Sequence, residues 1–414
     1  MHARLLLVAA ALTLSCTVAV TVGQQRRTGA FDQSVNHPAI KYLVADTSTA
    51  VDRLNAKLRD GSARLAFDEK TGYLRSILEL LNVPVESQTL VYTQTSLQAQ
   101  NIRMDNPRAI YFNDEVSVGY VRGAGLIEVT AQDPAMGTVF YSIHQAPVAP
   151  TSAEASAGGR AALGRDSQCL RCHLSWDTLG VPGLTVLTTF PRKSVDDYAN
   201  GGVVDHYRPI EERWGGWYVT GRKVPARHMG NLPLIMPAAS SASPRKIGVS
   251  LEGQFNLDGY LTPYSDVVAL MVLEHQAHVS NLITRATWEA RLGEPLRIAD
   301  SADTLADYLL FVDEAALPGP IEGSSGFTEQ FVAAGRKDAR GRSLRELDAQ
   351  TRLQKYPLSY MIYSEAFRAM PEAAKRLVMG KIQRVLSGEI ADAKYAHLTP
   401  AVRAAIREIL QQTL

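Results

Sequence analysis

Cysteine occurs three times in 414 residues, and two of the three stand in "DSQCLRCHLSW", with Cys169 and Cys172 three apart and His173 directly after the second. On a helical turn, positions i and i+3 share a side, so both thiols and the next imidazole can address one neighbour. Three chemistries use such a set. The thiols can add across the two vinyl groups of a haem, with His173 beneath the iron as proximal ligand. A C-x-x-C pair also serves as half of a zinc site or as a dithiol redox couple. Structural zinc needs four ligands, usually two such pairs, and the chain has no second pair. A thioredoxin-like dithiol calls for a βαβ setting, whereas this motif follows the Ser/Gly/Ala-rich "APTSAEASAGGRAALG". One covalent haem c on Cys169 and Cys172, with His173 on the metal, is the leading expectation.

An iron held by His173 has a second face. Methionine there raises the potential, histidine lowers it, and an open position admits ligands or peroxide. His228, Met229 and Met236 in "RHMGNLPLIMP" and His206 in "VVDHYRP" are the distal candidates. Each has an ordinary alternative as a packed methionine or a satisfied histidine. Trp176, Trp214, Trp217 and Tyr218 are candidate ring walls for a porphyrin. Arg213, Arg222 and Arg227 are candidate partners for its carboxylates. "LEHQAH" sets Glu274, His275 and His278 on one helical face, a weak signal for a metal or second haem. Ordinary hydrogen bonding on a helix face is the stronger reading there, and His275 is a further distal candidate.

These residues need a frame. Apolar spacing of three to four over 37–82 predicts helices. Val, Ile, Tyr and Thr enrichment with Asn-Asp and Gly turns predicts a small antiparallel sheet over about 90–145. Residues 166–260 read as irregular, with short strands at "LTVLTTF", "GGWYVTG" and "KIGVSLEG". From Ser265, taken as an N-cap, the chain turns helical, with Gly293 as a stop and Thr399-Pro400 opening the last helix. The fold class is α+β: an N-terminal helix-plus-sheet region (24–150), a haem-binding region (151–262) and a helical C-terminal region (263–414).

"MHARLLLVAAALTLSCTVAVTVG" reads as a secretory signal peptide over 1–23. An uncleaved anchor, or a lipid on Cys16, is the alternative, and membrane association is expected only through this segment. Forty-three basic and 42 acidic residues give a net charge of +1, without the basic excess of a nucleic-acid binder. Hydrophobic and charged fractions of 46% and 21% are those of an ordinary globular chain.

"CLRCH" resembles the haem site of c-type cytochromes, a likeness limited to Cys169, Cys172 and His173. "RAIYFNDEVSVGYV", "ERWGGWYVTG" and "RHMGN" are similar to stretches of large secreted single-haem bacterial proteins. The resemblance implies a periplasmic or otherwise exported protein, since c-type haem is attached outside the cytoplasm. The likeness to the secreted proteins brings no activity with it; electron transfer to a redox partner protein, through a haem on Cys169, Cys172 and His173, is the leading expectation. A haem enzyme or gas sensor with an open distal face is the alternative, although two-haem peroxidases carry two such motifs and this chain has one. A third possibility is a binding protein whose haem is incidental to a partner surface. Length and a β-rich upstream segment depart from a small cytochrome c, so that fold is not expected outside the haem region.

Overall fold

Period-two alternation from Thr89 onward builds a meander of six strands: β1 (Thr89–Val91), β2 (Arg108–Phe112), β3 (Val116–Val121), β4 (Leu126–Asp133), β5 (Gly137–His144) and β6 (Gly164–Arg165). Every neighbouring pair is antiparallel. The computed structural model describes residues 35–146, 162–189, 201–234 and 247–414. The leader with Cys16, residues 147–161 ahead of the cysteine motif and Met236 lie outside the described residues.

Both sheet faces are covered, for different reasons. Tyr111, Val118, Val129 and Tyr141 lie opposite one another across β2–β5. They share a core with Leu54 and Leu58 of α1 (Ala50–Asp60) and with Leu74 and Ile77 of α2 (Leu74–Leu80). Tyr141 Oη donates to Asp52 Oδ1 at 2.9 Å, tying α1 to the sheet. The alternate positions Arg108, Ile110, Ser117, Gly119, Glu128, Thr130 and Phe140 carry the opposite face, and they are far more polar. That face looks toward the cysteine motif.

The motif turn, α3 (Leu170–His173), is followed by a two-stranded ribbon, β7 (Val186–Thr188) and β8 (Gly202–Val204). The C-terminal third is helical, as its periodicity predicts: α4 (Val267–Leu292), α5 (Pro295–Leu309), α6 (Phe327–Ala333), α7 (Glu365–Arg368), α8 (Glu372–Ser387) and α9 (Pro400–Thr413). The observed class is α+β.

Helix α4 is buried almost all round, which is why no single apolar stripe marks it. Its N-cap is Asp266 rather than Ser265, because the Ser265 hydroxyl donates to the Tyr218 carbonyl at 2.6 Å. Asp266 Oδ1 accepts from the Val268 and Ala269 amides at 2.9 and 3.0 Å. Its Oδ2 accepts from the Ser324 and Ser325 amides at 2.6 and 2.9 Å. One buried carboxylate thus starts the central helix and anchors the loop before α6. Asp266→Ala is expected to cost about 2–4 kcal/mol, a lost cap plus unpaired buried amides, read from urea unfolding; Asp266→Asn should recover part of it.

Two expected strands are absent. "GGWYVTG" opens on a turn and makes only isolated bridges, Val91 with Trp217 and Thr220 with Asp266. Trp214 and Gly216 both adopt positive φ (72° and 89°), which breaks a regular ladder. The described part of "KIGVSLEG" is irregular.

Candidate functional site: the cysteine cleft and a buried histidine cluster

The motif is docked before it is shaped. The Asp166 amide donates to the Phe140 carbonyl of β5 at 2.9 Å, and the Asp166 carboxylate accepts from the Gln168 amide at 3.0 Å, starting the turn. The turn then sets Cys169, Cys172 and His173 on one cleft of about 510 Å³, within the range of small-molecule and cofactor sites. An inner extension of about 90 Å³ keeps Cys169 and His173 on its wall and adds Phe140 and Leu273.

His173 is held in one tautomer. Its Nδ1 lies 2.9 Å from the Gly183 carbonyl, which can only accept, so Nδ1 carries the proton and Nε2 keeps its electron pair. The Gly183 amide returns a bond to the His173 carbonyl at 3.0 Å. Asn281 of α4 fixes this segment from behind, donating to the Leu184 carbonyl (2.7 Å) and accepting from its amide (3.1 Å). A side chain on Gly183 would meet Asn281 Oδ1 at 2.1 Å. Such outer support is what a metal-ligating imidazole needs. Burial lowers the His173 pKa, which favours the neutral ligand form.

The thiols differ from those of a redox pair. Both are free; Cys169 is half-buried and Cys172 exposed. Burial, reinforced by Asp166 and Glu128, pushes the Cys169 thiol up to about 12. A catalytic dithiol needs the opposite shift. Among the described residues, no group of three or more His, Cys, Asp or Glu side chains could hold a metal ion.

The cleft walls are apolar at Val91, Ile110, Leu187 and Trp217, and polar where β2 and β4 turn charges inward. Arg108 and Glu128 pair at 2.9 Å, and Gln98 donates to the same carboxylate oxygen at 2.9 Å. Gly119, directly opposite Glu128, makes room: a Cβ there would meet Arg108 Nη2 at 2.2 Å. Arg108 Nε is buried without a partner. These features fit a haem: two thiols and an imidazole electron pair on one wall, apolar flanks, and donors left over at Arg108 and at Arg171 on the motif turn.

No protein-family model, curated protein or solved structure matches this chain.

Several anticipated neighbours lie elsewhere. Of the rings, Trp217 lines the cleft, Trp176 is 77% exposed, and Tyr218 packs on Tyr92 in the core beneath the sheet. None of Arg213, Arg222 and Arg227 lines it. Arg222 pairs with Glu322 at the surface, Arg227 is exposed, and Arg213 is buried against Glu274. His206, His228 and Met229 line neither the cleft nor its extension. His228 packs edge-on against Trp214, and burial lowers it to about 4.

A second centre surrounds the far side of α4. Arg213 donates to Glu274 at 3.0 Å and to the Arg208 carbonyl at 2.7 Å; the Trp214 indole donates to the other Glu274 oxygen. Burial outweighs Arg213 and lifts the Glu274 carboxyl to about 7. His206 stacks on Tyr308 at 3.8 Å, and neither ring nitrogen has a partner in hydrogen-bond geometry. His275 Nε2 lies 2.8 Å from Ser359 Oγ, and His278 stands 3.9 Å from Asp205. Glu274 and His275 Nε2 are thus engaged by protein partners, whereas His275 Nδ1 and His278 Nδ1 are buried without a hydrogen-bond partner.

Arg108, Glu128, Gly119, Phe140 and Gly183 escaped the sequence reading. The available signals were charges at alternating strand positions and a glycine inside a strand.

Proposed function

We propose that the chain is an exported c-type haem protein in which Cys169 and Cys172 hold one haem through thioethers and His173 ligates the iron. The observation that carries this reading is the convergence of both thiols and the Nε2 electron pair on one cleft. A haem held there supplies one-electron chemistry. Electron transfer to a partner protein is the leading activity, supported by exposed Cys172, Trp176 and Leu97 around the motif and its cleft, where a protein partner can approach. The signal-like N-terminus supports a periplasmic location.

A second reading has its own support. The described lining of the cleft contains no further histidine or methionine, which favours an open sixth position for a small gas or peroxide. Arg108, with one unpaired donor, would then face the bound ligand.

Expression with a c-type maturation system tests both. Haem should stay on the denatured wild-type chain and be absent from the Cys169→Ser/Cys172→Ser double variant. Failure of the wild type to retain haem would remove the proposal. Low-spin iron indifferent to carbon monoxide supports the carrier; high-spin iron that binds it supports the open site.

A further inference from the structure

A cavity larger than the cysteine cleft lies elsewhere among the described residues. About 800 Å³ opens between α1, α2, α4 and α6, over the β2–β3 turn. Its floor is apolar and aromatic, including Leu54, Leu78, Val272, Phe112, Phe327 and Phe331. Rim charges balance. Arg53 pairs with Glu115 at 3.5 Å and Arg345 with Asp114, while Lys57 faces the same rim as Glu79. A ligand with net charge of either sign finds no surplus counter-charge, whereas a neutral ring finds aromatic faces and the exposed Gln330 amide.

This cleft abuts the cysteine site. Phe112 lines the first and Ile110 the second, two residues apart on one face of β2, a span of about 7 Å. A small intervening cavity shares Asp114, Glu115 and Gln276 with the large cleft. It shares Ser117, Leu273 and Ala277 with the extension at His173. Cavities therefore run in series from the open cleft to the histidine.

We propose that this cleft binds a neutral hydroquinone-type small molecule that donates electrons to the haem held at His173. The inference rests on the haem reading above. Oxidation of one hydroquinone breaks two O–H bonds and yields a quinone, two electrons and two protons. Two haem-bearing chains take one electron each, and the protons pass to Glu115 and to water. Glu115 is suited to this: it lines both the cleft and the first small cavity, and burial holds its carboxyl above the ordinary range.

The probe is menadione, followed by calorimetry, with menadiol as reductant in stopped flow. Ala334→Trp and Gln330→Trp fill the cleft from exposed rim positions, so folding is spared. Saturable binding, saturable haem reduction by menadiol, and at least a tenfold loss of both in either variant are expected, with reduction by ascorbate unchanged. Absence of menadione binding, or binding that neither variant alters, overturns the proposal. A chain without haem that still binds menadione in the cleft would overturn the haem reading and leave a ligand site with no electron acceptor.

Discussion

Replacing Glu274 with alanine is expected to destabilise the protein by about 3–5 kcal/mol, more than Arg213→Ala. The two side chains form one buried pair at 3.0 Å, so symmetry might be assumed, but their protonation chemistry differs. A carboxyl deprived of Arg213 can take a proton, and burial already holds Glu274 near 7 with the guanidinium present. A guanidinium deprived of Glu274 cannot neutralise itself and stays a buried charge. Loss of Glu274 also strands the Trp214 indole N–H. Arg213→Ala leaves fewer obligations, chiefly the Arg208 and His206 carbonyls. Urea unfolding at pH 7.5 should rank wild type above Arg213→Ala above Glu274→Ala, and Glu274→Leu with Arg213→Met should recover part of the loss. Equal effects of the two single changes would show that charge burial does not govern this cluster.

What the sequence disclosed and withheld follows from the range of the interactions. "CLRCH" was legible because attachment chemistry is local: one helical turn supplies the spacing. The sheet was legible for the same reason, since hairpin turns at Asn113-Asp114 and Gly123–Gly125 fix antiparallel neighbours. Its inward polar face was not. Arg108 and Glu128 are 20 residues apart and become partners only through the register that sets Ile110 opposite Gly119 and Gly119 opposite Glu128. Likewise the proton on His173 is placed by Gly183, and Gly183 by Asn281, about a hundred residues downstream. Trp217 lines the cleft as expected, but the Arg213 and Trp214 expectations failed through sequence proximity: both lie between the motif and "RHMGN", yet a positive φ at Trp214 accompanies their turn toward α4.

The same buried groups set the pH profile. Burial lowers His173, His206, His228, His275, His278 and His397, so stability falls from pH 7.5 to 4.5. Raised carboxyls offset only part of that fall, and a steeper loss follows below. Histidines work against acid. Burial lowers His228 to about 4 and His275 to about 3, against about 6.5 in the unfolded chain. Between those values the unfolded state binds more protons, so stability falls as pH falls. At pH 4.5 each is two pKa units below its unfolded value, about 5 kcal/mol for the pair. Two carboxyls work the other way. Burial raises Glu274 and Glu314 to about 7, so between 7 and about 4.5 the folded state binds more protons and stability rises on acidification. That gain is about 3 kcal/mol each before partial solvent access to Glu314 reduces its share, which offsets only part of the loss from the six histidines. Below about 4.5 the unfolded carboxyls protonate as well and the gain stops, while His275 continues to lose ground down to about 3. Asp307, kept low by Lys381, Lys394 and Tyr395 despite its burial, adds to the loss there. Glu314→Gln retains an acceptor for the Leu353 amide and removes one compensating group. Its unfolding free energy should fall by about 2 kcal/mol relative to wild type between pH 7.5 and 4.5. Parallel profiles for the two proteins would mean that Glu314 ionises in the folded state as it does in the unfolded chain.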